Sequence, residues 1–463
     1  MQRNIMVLLD SPYTFPRMKA ILKILEHLPK NYKLFIVSLE NKKPELNRDY
    51  DFYYLYDHPA FSKSDIDLER AEEFLNYPLN LLIDGFWLKK YQEKWKQKIY
   101  PKYVAQLAEF WEDYLVKNKI DIYFSILECS YPHTVAYSIC ERLNIKVIYF
   151  AISRIGGSIM FLDNHFMPIY KITPNKDRIE ELYPKVLEST INKAKPFKMS
   201  ISKIKGRFKV PNITASLHYF KSYFDKTFFE KLNLPSPSVV IQRYFRHIVR
   251  LGIVPLFYKK VNLHERYFLY PLPHFDEAYN SYYHGMYDIF ENIKLVSRAL
   301  PHGVYLYVKP HPHFSGSDVP ISKLMSLSRL NNVKIIPHNA NSKELNENCV
   351  GVITVGGTAG FEGILYNKPV IVFGKPFYSE PGTVLVVNDL MELPRLLLKV
   401  IKNPNYGIST EKRKEMAVKY YLNQIPLKGS PNVFGEMNLS DEEAIMLGKE
   451  LDARYSLLIN KEK

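Results

Sequence analysis

The stretch VGVITVGGTAGFEGILYNKPVIVFG, residues 350–374, constrains the fold more than any other. VGVITV and KPVIVFG are short apolar runs rich in β-branched residues, and both read as buried strands. Between them Gly356, Gly357, Thr358 and Gly360 turn the chain into a short helix over 358–365. Strand, helix and strand in so few residues make a βαβ unit, whose two strands run parallel. A helix entered through such a turn presents free N–H groups and a positive dipole end, which suit a phosphate. Gly356 and Gly357 are expected to supply positive φ and close backbone approach. Thr358 is expected to cap the helix or to hold a phosphate oxygen together with the neighbouring amides, including that of Ala359. The plainer alternative is a tight turn with nothing bound, because neither the GxGxxG order nor the Walker Lys-Ser/Thr is present.

The same alternation runs through most of the chain. IMVLLD, KLFIVSL, IDIYFSILE and KVIYFAIS read as strands in the first 153 residues, with helices at 17–28 and 133–143. A second series starts at Arg266: RYFLYPLP, VYLYVKP, VKIIP and the two runs of the opening stretch, with helices at 286–300, 321–330 and 342–348. Two such series predict an α/β protein with two Rossmann-like lobes. The expected division is 1–190 for the first lobe, 191–262 for a basic aromatic insertion or linker, 263–408 for the second lobe, and 409–463 for a helical tail.

Charge narrows the partners. The formal net charge is +15, which suits anionic lipid, anionic small substrates or nucleic acid. Nucleic acid ranks last, since no zinc-type cysteine spacing or RNA-recognition signature is present. The run KAKPFKMSISKIKGRFK, 193–209, has no acid and leads into LHYFKSYFDKTFFEKL. It reads either as a solvated linker or as a segment held to an anionic membrane surface through 193–230. The 35 Tyr and 27 Phe stack ligands or fill a core, and the core is the default. Cys129, Cys140 and Cys349 are scattered in apolar surroundings, as buried thiols of a reducing compartment. The amino terminus lacks signal-peptide features and no apolar run reaches membrane-spanning length, so the expected location is cytoplasmic or on the inner face of a membrane.

Strand ends carry the chemistry in such sheets. In YVKPHPHF, His311 is held between prolines at a strand end, beside Lys309. A protonated histidine there pairs with a phosphate or protonates a departing oxygen; the alternative is a structural turn histidine. Glu362 lies one turn beyond Thr358 and is either a hydrogen-bond acceptor for a ribose or sugar hydroxyl or a capping partner of Thr358. YPLPHFDEA places His274, Asp276 and Glu277 at another strand end, as sugar-directed groups or helix caps. His338 is a weaker candidate for lining a base pocket. In the first lobe Asp10, Ser11, Ser130 and His133 also fall at strand ends. Glu128 and Asp163 are candidate general bases for an acceptor hydroxyl, or caps.

RYFLYPLPHFDEA, VYLYVKPHPHF and VGVITVGGTAGFEGILYNKPVIVFGKPFYSEPG together resemble the capsule polysaccharide biosynthesis proteins, a family that includes retaining Kdo transferases. The resemblance covers mainly 266–390. It implies a metal-independent glycosyltransferase of the GT-B type, with two lobes facing a cleft, no cofactor, and a nucleotide sugar such as CMP-Kdo in the second lobe. It also implies donor-phosphate contacts from His311 and Thr358, a place near the nucleotide for Glu362, and one near the donor sugar for Asp276 or Glu277. The acceptor would be a glycan or lipid-linked glycan. Two other readings stay open: a GT-B-like nucleotide-sugar epimerase or polyol-phosphate transferase, and a non-catalytic membrane-associated scaffold.

Overall fold

The computed structural model describes residues 2–10, 16–75, 79, 93–126, 130–153, 155, 157–192, 220–273, 289–311, 318–428 and 437–460. Along the chain the elements that matter here begin with β1 (Arg3–Leu9), α1 (Pro16–Glu26), β2 (Tyr32–Ser38), β3 (Tyr50–Tyr54), α2 (Leu68–Leu75) and α3 (Tyr100–Lys117). They continue with β4 (Ile122–Ile126), α4 (Tyr131–Arg142), β5 (Lys146–Ile152), β6 (Ser158–Leu162), α5 (Lys176–Leu187) and α6 (Pro237–Ile253). Next come β7 (Tyr267–Pro271), α7 (Ile289–Ala299), β8 (Tyr305–Lys309), α8 (Ile321–Ser328), β9 (Val333–Ile335), α9 (Ser342–Asn348), β10 (Gly351–Thr354) and α10 (Thr358–Leu365). The chain closes with β11 (Val370–Val372), β12 (Leu385–Val386), α11 (Leu393–Lys402), α12 (Thr410–Asn423), β13 (Ile425–Pro426) and α13 (Asp441–Asn460). They form two units: residues 1–173, 227–234 and 419–463 in the first, and 174–226 and 235–418 in the second.

The first unit holds a sheet of order β13-β6-β5-β4-β1-β2-β3. Strands β3 to β5 pair in parallel through β2, β1 and β4. The last five residues of β1 are all buried, as expected of a parallel strand covered by helices on both faces. The apolar core gathers Ile5, Val7 and Leu9 with Ile21 and Leu25 of α1 and Phe124 of β4. Leu447 and Leu451 of α13 join that core. Here α13 packs so closely that a Cβ on Gly448 would stand 3.0 Å from the carbonyl of His27. Arg454 of α13 is buried, donating to the carbonyls of Ile169 and Asn423 and pairing with Glu450.

The second unit is parallel throughout, in the order β12-β11-β10-β7-β8-β9. Phe268, Val308, Ile353 and Ile371 lie in its core against Ile293 of α7 and Leu397 of α11. The α/β class expected from the sequence is borne out by these two sheets. The aromatic excess fills interiors: Tyr103, Tyr123, Tyr149, Tyr267, Tyr270 and Tyr307 are among the largest fully buried side chains.

Three strands differ from the sequence reading. SIMFL, taken as loop, is β6, antiparallel to β5. Gly157, at φ +80, lets the chain fold back there. YDFYY forms the edge strand β3, and IP forms β13 against β6. Of the three, β13 has a partner distant in sequence, with Ile425 opposite Ile159.

Removing the Arg454 side chain would orphan two buried carbonyls. Arg454→Met should destabilise the first unit by about 3 kcal/mol. All three tryptophans fall in that unit's residue range, so tryptophan fluorescence during urea unfolding reads its transition. An unchanged midpoint would refute the clamp.

Candidate functional site

In the second unit the chain starts at β7, moves outward to β8 and β9, then returns to β10 on the other side of β7. The strand order therefore reverses between β7 and β10, and open α/β sheets bind ligands beyond the carboxyl ends of such strands. The glycine turn follows β10 at this point. Lys309 and His311 follow from β8, two strand spacings from β10, or about 10 Å.

The turn's geometry departs from expectation. Gly357 is the helix N-cap, at φ −66 and ψ 168, so positive φ is not the reason for glycine there. Thr358 is the first helical residue and is exposed; it cannot cap a helix it already belongs to. The capping-box alternative for Glu362 fails for the same reason, since the third helical position is Gly360. Close packing accounts for Gly360 and Gly363. A Cβ on Gly360 would lie 2.2 Å from the Tyr378 hydroxyl, and one on Gly363 would lie 2.9 Å from Val352. Tyr378 donates to the carbonyl of Gly357 at 2.7 Å. Thr383 donates to the Tyr378 carbonyl at 2.5 Å, and buried Arg413 donates to the Thr383 carbonyl at 2.8 Å. The turn is thus held from α12 through three successive hydrogen bonds. Among the described residues no side chain caps α10, and no acid occupies its first turn. A helix start of this kind suits an anion.

Lys309 is not an open surface charge. It is 8% exposed and donates to Ser342 Oγ at 2.5 Å. Asn341 caps α9, accepting from the Lys343 amide, and leaves the Ser342 hydroxyl for the lysine. Burial lowers the Lys309 pKa, and the charge of Glu362 opposes that shift. Burial raises the Glu362 pKa, opposed by Lys309. The end of β8 and the second turn of α10 are therefore electrostatically coupled. His311, half-buried, ends the described part of that loop. His338 follows the edge strand β9, with Nδ1 3.2 Å from the Tyr258 hydroxyl. Both Cys140 and Cys349 are buried, and burial pushes the Cys349 thiol up to about 12, which makes it a poor nucleophile. His274, Asp276, Glu277 and Glu128 lie outside the described residues, as does the basic run 193–219. In the described remainder of 193–230, Phe224 and Phe228 are exposed.

The first unit has its own reversal, between β1 and β4. Asp10 follows β1, and His133 sits in the first turn of α4, fully buried. His133 Nε2 lies 3.5 Å from Asp10 Oδ2. Its Nδ1 lies 2.6 Å from the Tyr123 hydroxyl and 3.3 Å from Ser125 Oγ. Sequence reading had marked both residues as strand ends without joining them; the reversal of strand order is what brings them together. Asp163 instead accepts from the amides of His165 and Met167, at 2.9 and 3.0 Å, which is a turn-forming role.

The buried pair in the second unit makes a distinct prediction. Lys309→Met and Glu362→Gln should have non-additive effects on stability, with a coupling of about 1 kcal/mol between them. Glu362 has a raised folded-state pKa, so it binds more protons when folded. Its contribution is present below the ordinary value of 4.5 and is lost as pH rises through the folded value. The wild type minus Glu362→Gln difference in urea stability should therefore fall with rising pH above 4.5. A flat difference, with additive single effects, would contradict the coupling.

The comparisons follow this geometry. The family model described as capsule polysaccharide biosynthesis protein matches residues 221–390. Among solved structures, the chain is similar to Thermosulfurimonas dismutans KpsC, beta Kdo 2,7 transferase, at 15% identity over 77% of this chain and 90% of that one, with a TM-score of 0.32. It is similar to CalG4, the calicheamicin glycosyltransferase, at 10% identity over 98% of each chain, with a TM-score of 0.30. It is also similar to the UDP-GlcNAc 2-epimerase of Methanocaldococcus jannaschii, at 11% identity over 91% of this chain and 100% of that one, with a TM-score of 0.23. These likenesses are distant, and the fold rests on the two sheets themselves. No curated protein matches the chain. The matched segment spans β7 to β12, with the glycine turn and Lys309 inside it, so across residues 221–390 the chain is similar to the capsule polysaccharide biosynthesis proteins.

Proposed function

We propose that the protein is a glycosyltransferase of surface-polysaccharide assembly. Its second unit takes the nucleotide of a sugar donor, a CMP-sugar such as CMP-Kdo, and the sugar passes to a glycan or lipid-linked glycan. The observation that carries this reading is the uncapped, acid-free start of α10 at the reversal between β7 and β10, coupled through Glu362 to the Lys309 cation. The amides of Thr358 and Ala359 receive the phosphate, and His311 adds a proton or a positive charge to the leaving oxygen. Lys309 acts from beneath as a fixed charge. Preorganised donors of this kind stabilise a departing phosphate without reorganising, and no metal is required for that task. Glu362, coupled to the Lys309 charge, is assigned to accept from a ribose hydroxyl. His274 with Asp276 or Glu277 is assigned to the donor sugar, and His338 to the rim of the base pocket.

In transfer, the bond between the sugar's anomeric carbon and the phosphate oxygen breaks, and a bond to the acceptor oxygen forms. The acceptor hydroxyl loses its proton. Asp10 is the carboxylate we assign to that proton, with His133 as its positioning partner; Glu128 remains the alternative. Asp163 is less suited, since its carboxylate already closes a turn.

Calorimetry with CMP, CDP and UDP is the first test. One of them should bind, and His311→Ala should weaken that binding and slow transfer by about tenfold or more. Absence of nucleotide binding, or full turnover in His311→Ala, would overturn the reading. Asp10→Asn should lower turnover by about 100-fold while leaving nucleotide affinity unchanged. Equal loss of nucleotide binding and turnover would remove Asp10 from the acceptor step.

A further inference from the structure

Helix α6, Pro237–Ile253, has no buried residue. Its side chains nevertheless divide sharply. Ile241, Phe245 and Val249 recur every four residues and so share one face. They are 44%, 61% and 52% exposed, and Leu256 in the turn that follows is 81% exposed. Gly252 lies on the same face with nothing within 4 Å of a Cβ built there, so the stripe stays open along its length. Arg243, Arg246 and Arg250, spaced by three and four residues, form an adjoining face. Lys259 and Lys260 are exposed just beyond Leu256. From Pro235 to His264 the sequence contains no acidic residue.

We propose that α6 is a membrane-docking helix, lying in the headgroup plane of an anionic bilayer. An apolar stripe bordered on one side by arginines fits a surface that is hydrocarbon beneath and negative above. A helix of this length runs about 25 Å along the surface. The charge pattern selects the occupant. A protein partner or a second copy of this chain would have to answer the exposed cations Arg246, Lys259 and Lys260, and from Pro235 to His264 the sequence offers no acid in exchange for a self-complementary pairing. The inference places membrane contact at 237–260, beyond the segment 193–230 singled out from sequence. Among the described residues no helix is long and apolar enough to cross a membrane, so attachment here is peripheral. It stands independently of the transferase reading, because it concerns vesicle binding alone.

The test is flotation of the full chain with vesicles of phosphatidylcholine alone and of phosphatidylcholine with phosphatidylglycerol. The protein should float with the anionic vesicles only, and added salt should weaken the association. Phe245→Asp with Val249→Asp should abolish flotation while leaving thermal unfolding and nucleotide binding unchanged, since neither side chain is buried. Arg246→Gln should weaken binding by about fivefold. No flotation of the wild type, or flotation undiminished by the double substitution, would overturn the proposal. So would light scattering that shows a dimer dispersed by the same substitutions, which would assign the stripe to a second copy.

Discussion

Parallel strands cannot be closed by hairpins, so each must be reached by a crossover. When successive crossovers change direction, the first strand is left flanked by loops that run away from each other, and a crevice opens above it. Both units here are built on that constraint. In the second, β7 lies between β8 and β10. In the first, β1 lies between β2 and β4. The chemistry-bearing residues follow from this order: the glycine turn and Lys309 above one first strand, Asp10 and His133 above the other. Neither pair is close in sequence. What joins them is the requirement that a covered parallel sheet be entered in its middle.

The glycine turn shows how packing, not backbone freedom, selects glycine. Gly357 has an ordinary φ, and Gly360 is required because the Tyr378 ring fills the place of its side chain. Tyr378 in return ties down the Gly357 carbonyl. The start of α10 is therefore tied to Tyr378 by a hydrogen bond and by close packing. Preorganisation of this kind is what makes hydrogen-bond donors useful against a developing charge. Lys309 completes the arrangement at a cost to stability, since both it and Glu362 are drawn toward their neutral forms by burial. A buried cation with one hydroxyl partner and a carboxylate at longer range is poorly explained by folding alone.

Most of the second unit was legible in the sequence because its signals are local. Apolar runs bounded by turn residues identify β7 to β11, and the reading of α9 and α10 agrees with the helices Ser342–Asn348 and Thr358–Leu365. The errors have more than one cause. β13 is specified by a neighbour far away in the chain, Ile425 lying opposite Ile159, whereas β3 and β6 pair with the strands just before them. Thr358 was assigned a cap because threonine prefers that position, whereas the tight packing of Tyr378 against the turn fixes the helix start one residue earlier. The bond of Ser342 to Lys309 depends on a strand 33 residues away. The Asp10–His133 pair was hidden similarly. Each residue is a plain strand-end polar group until the strand order is known.

The excess of tyrosine and phenylalanine divides along a physical line. In the first unit, Tyr103, Phe110, Trp111 and Tyr123 pack into the interior in tilted and edge-to-face pairs, where rings of this size can fill volume that several smaller side chains would leave uneven. The aromatic and aliphatic residues of α6 do not join a core, although the spacing of Ile241, Phe245 and Val249 is that of a core-facing stripe. A stripe of that kind left in water is unfavourable by the same hydrophobic effect that assembles both sheets. Its neighbours are arginines and lysines, which are poor company for a protein core and good company for a phosphate-bearing surface. The two proposals share one chemistry, positive charge beside apolar packing: for a single phosphate at α10 and for a plane of phosphates at α6.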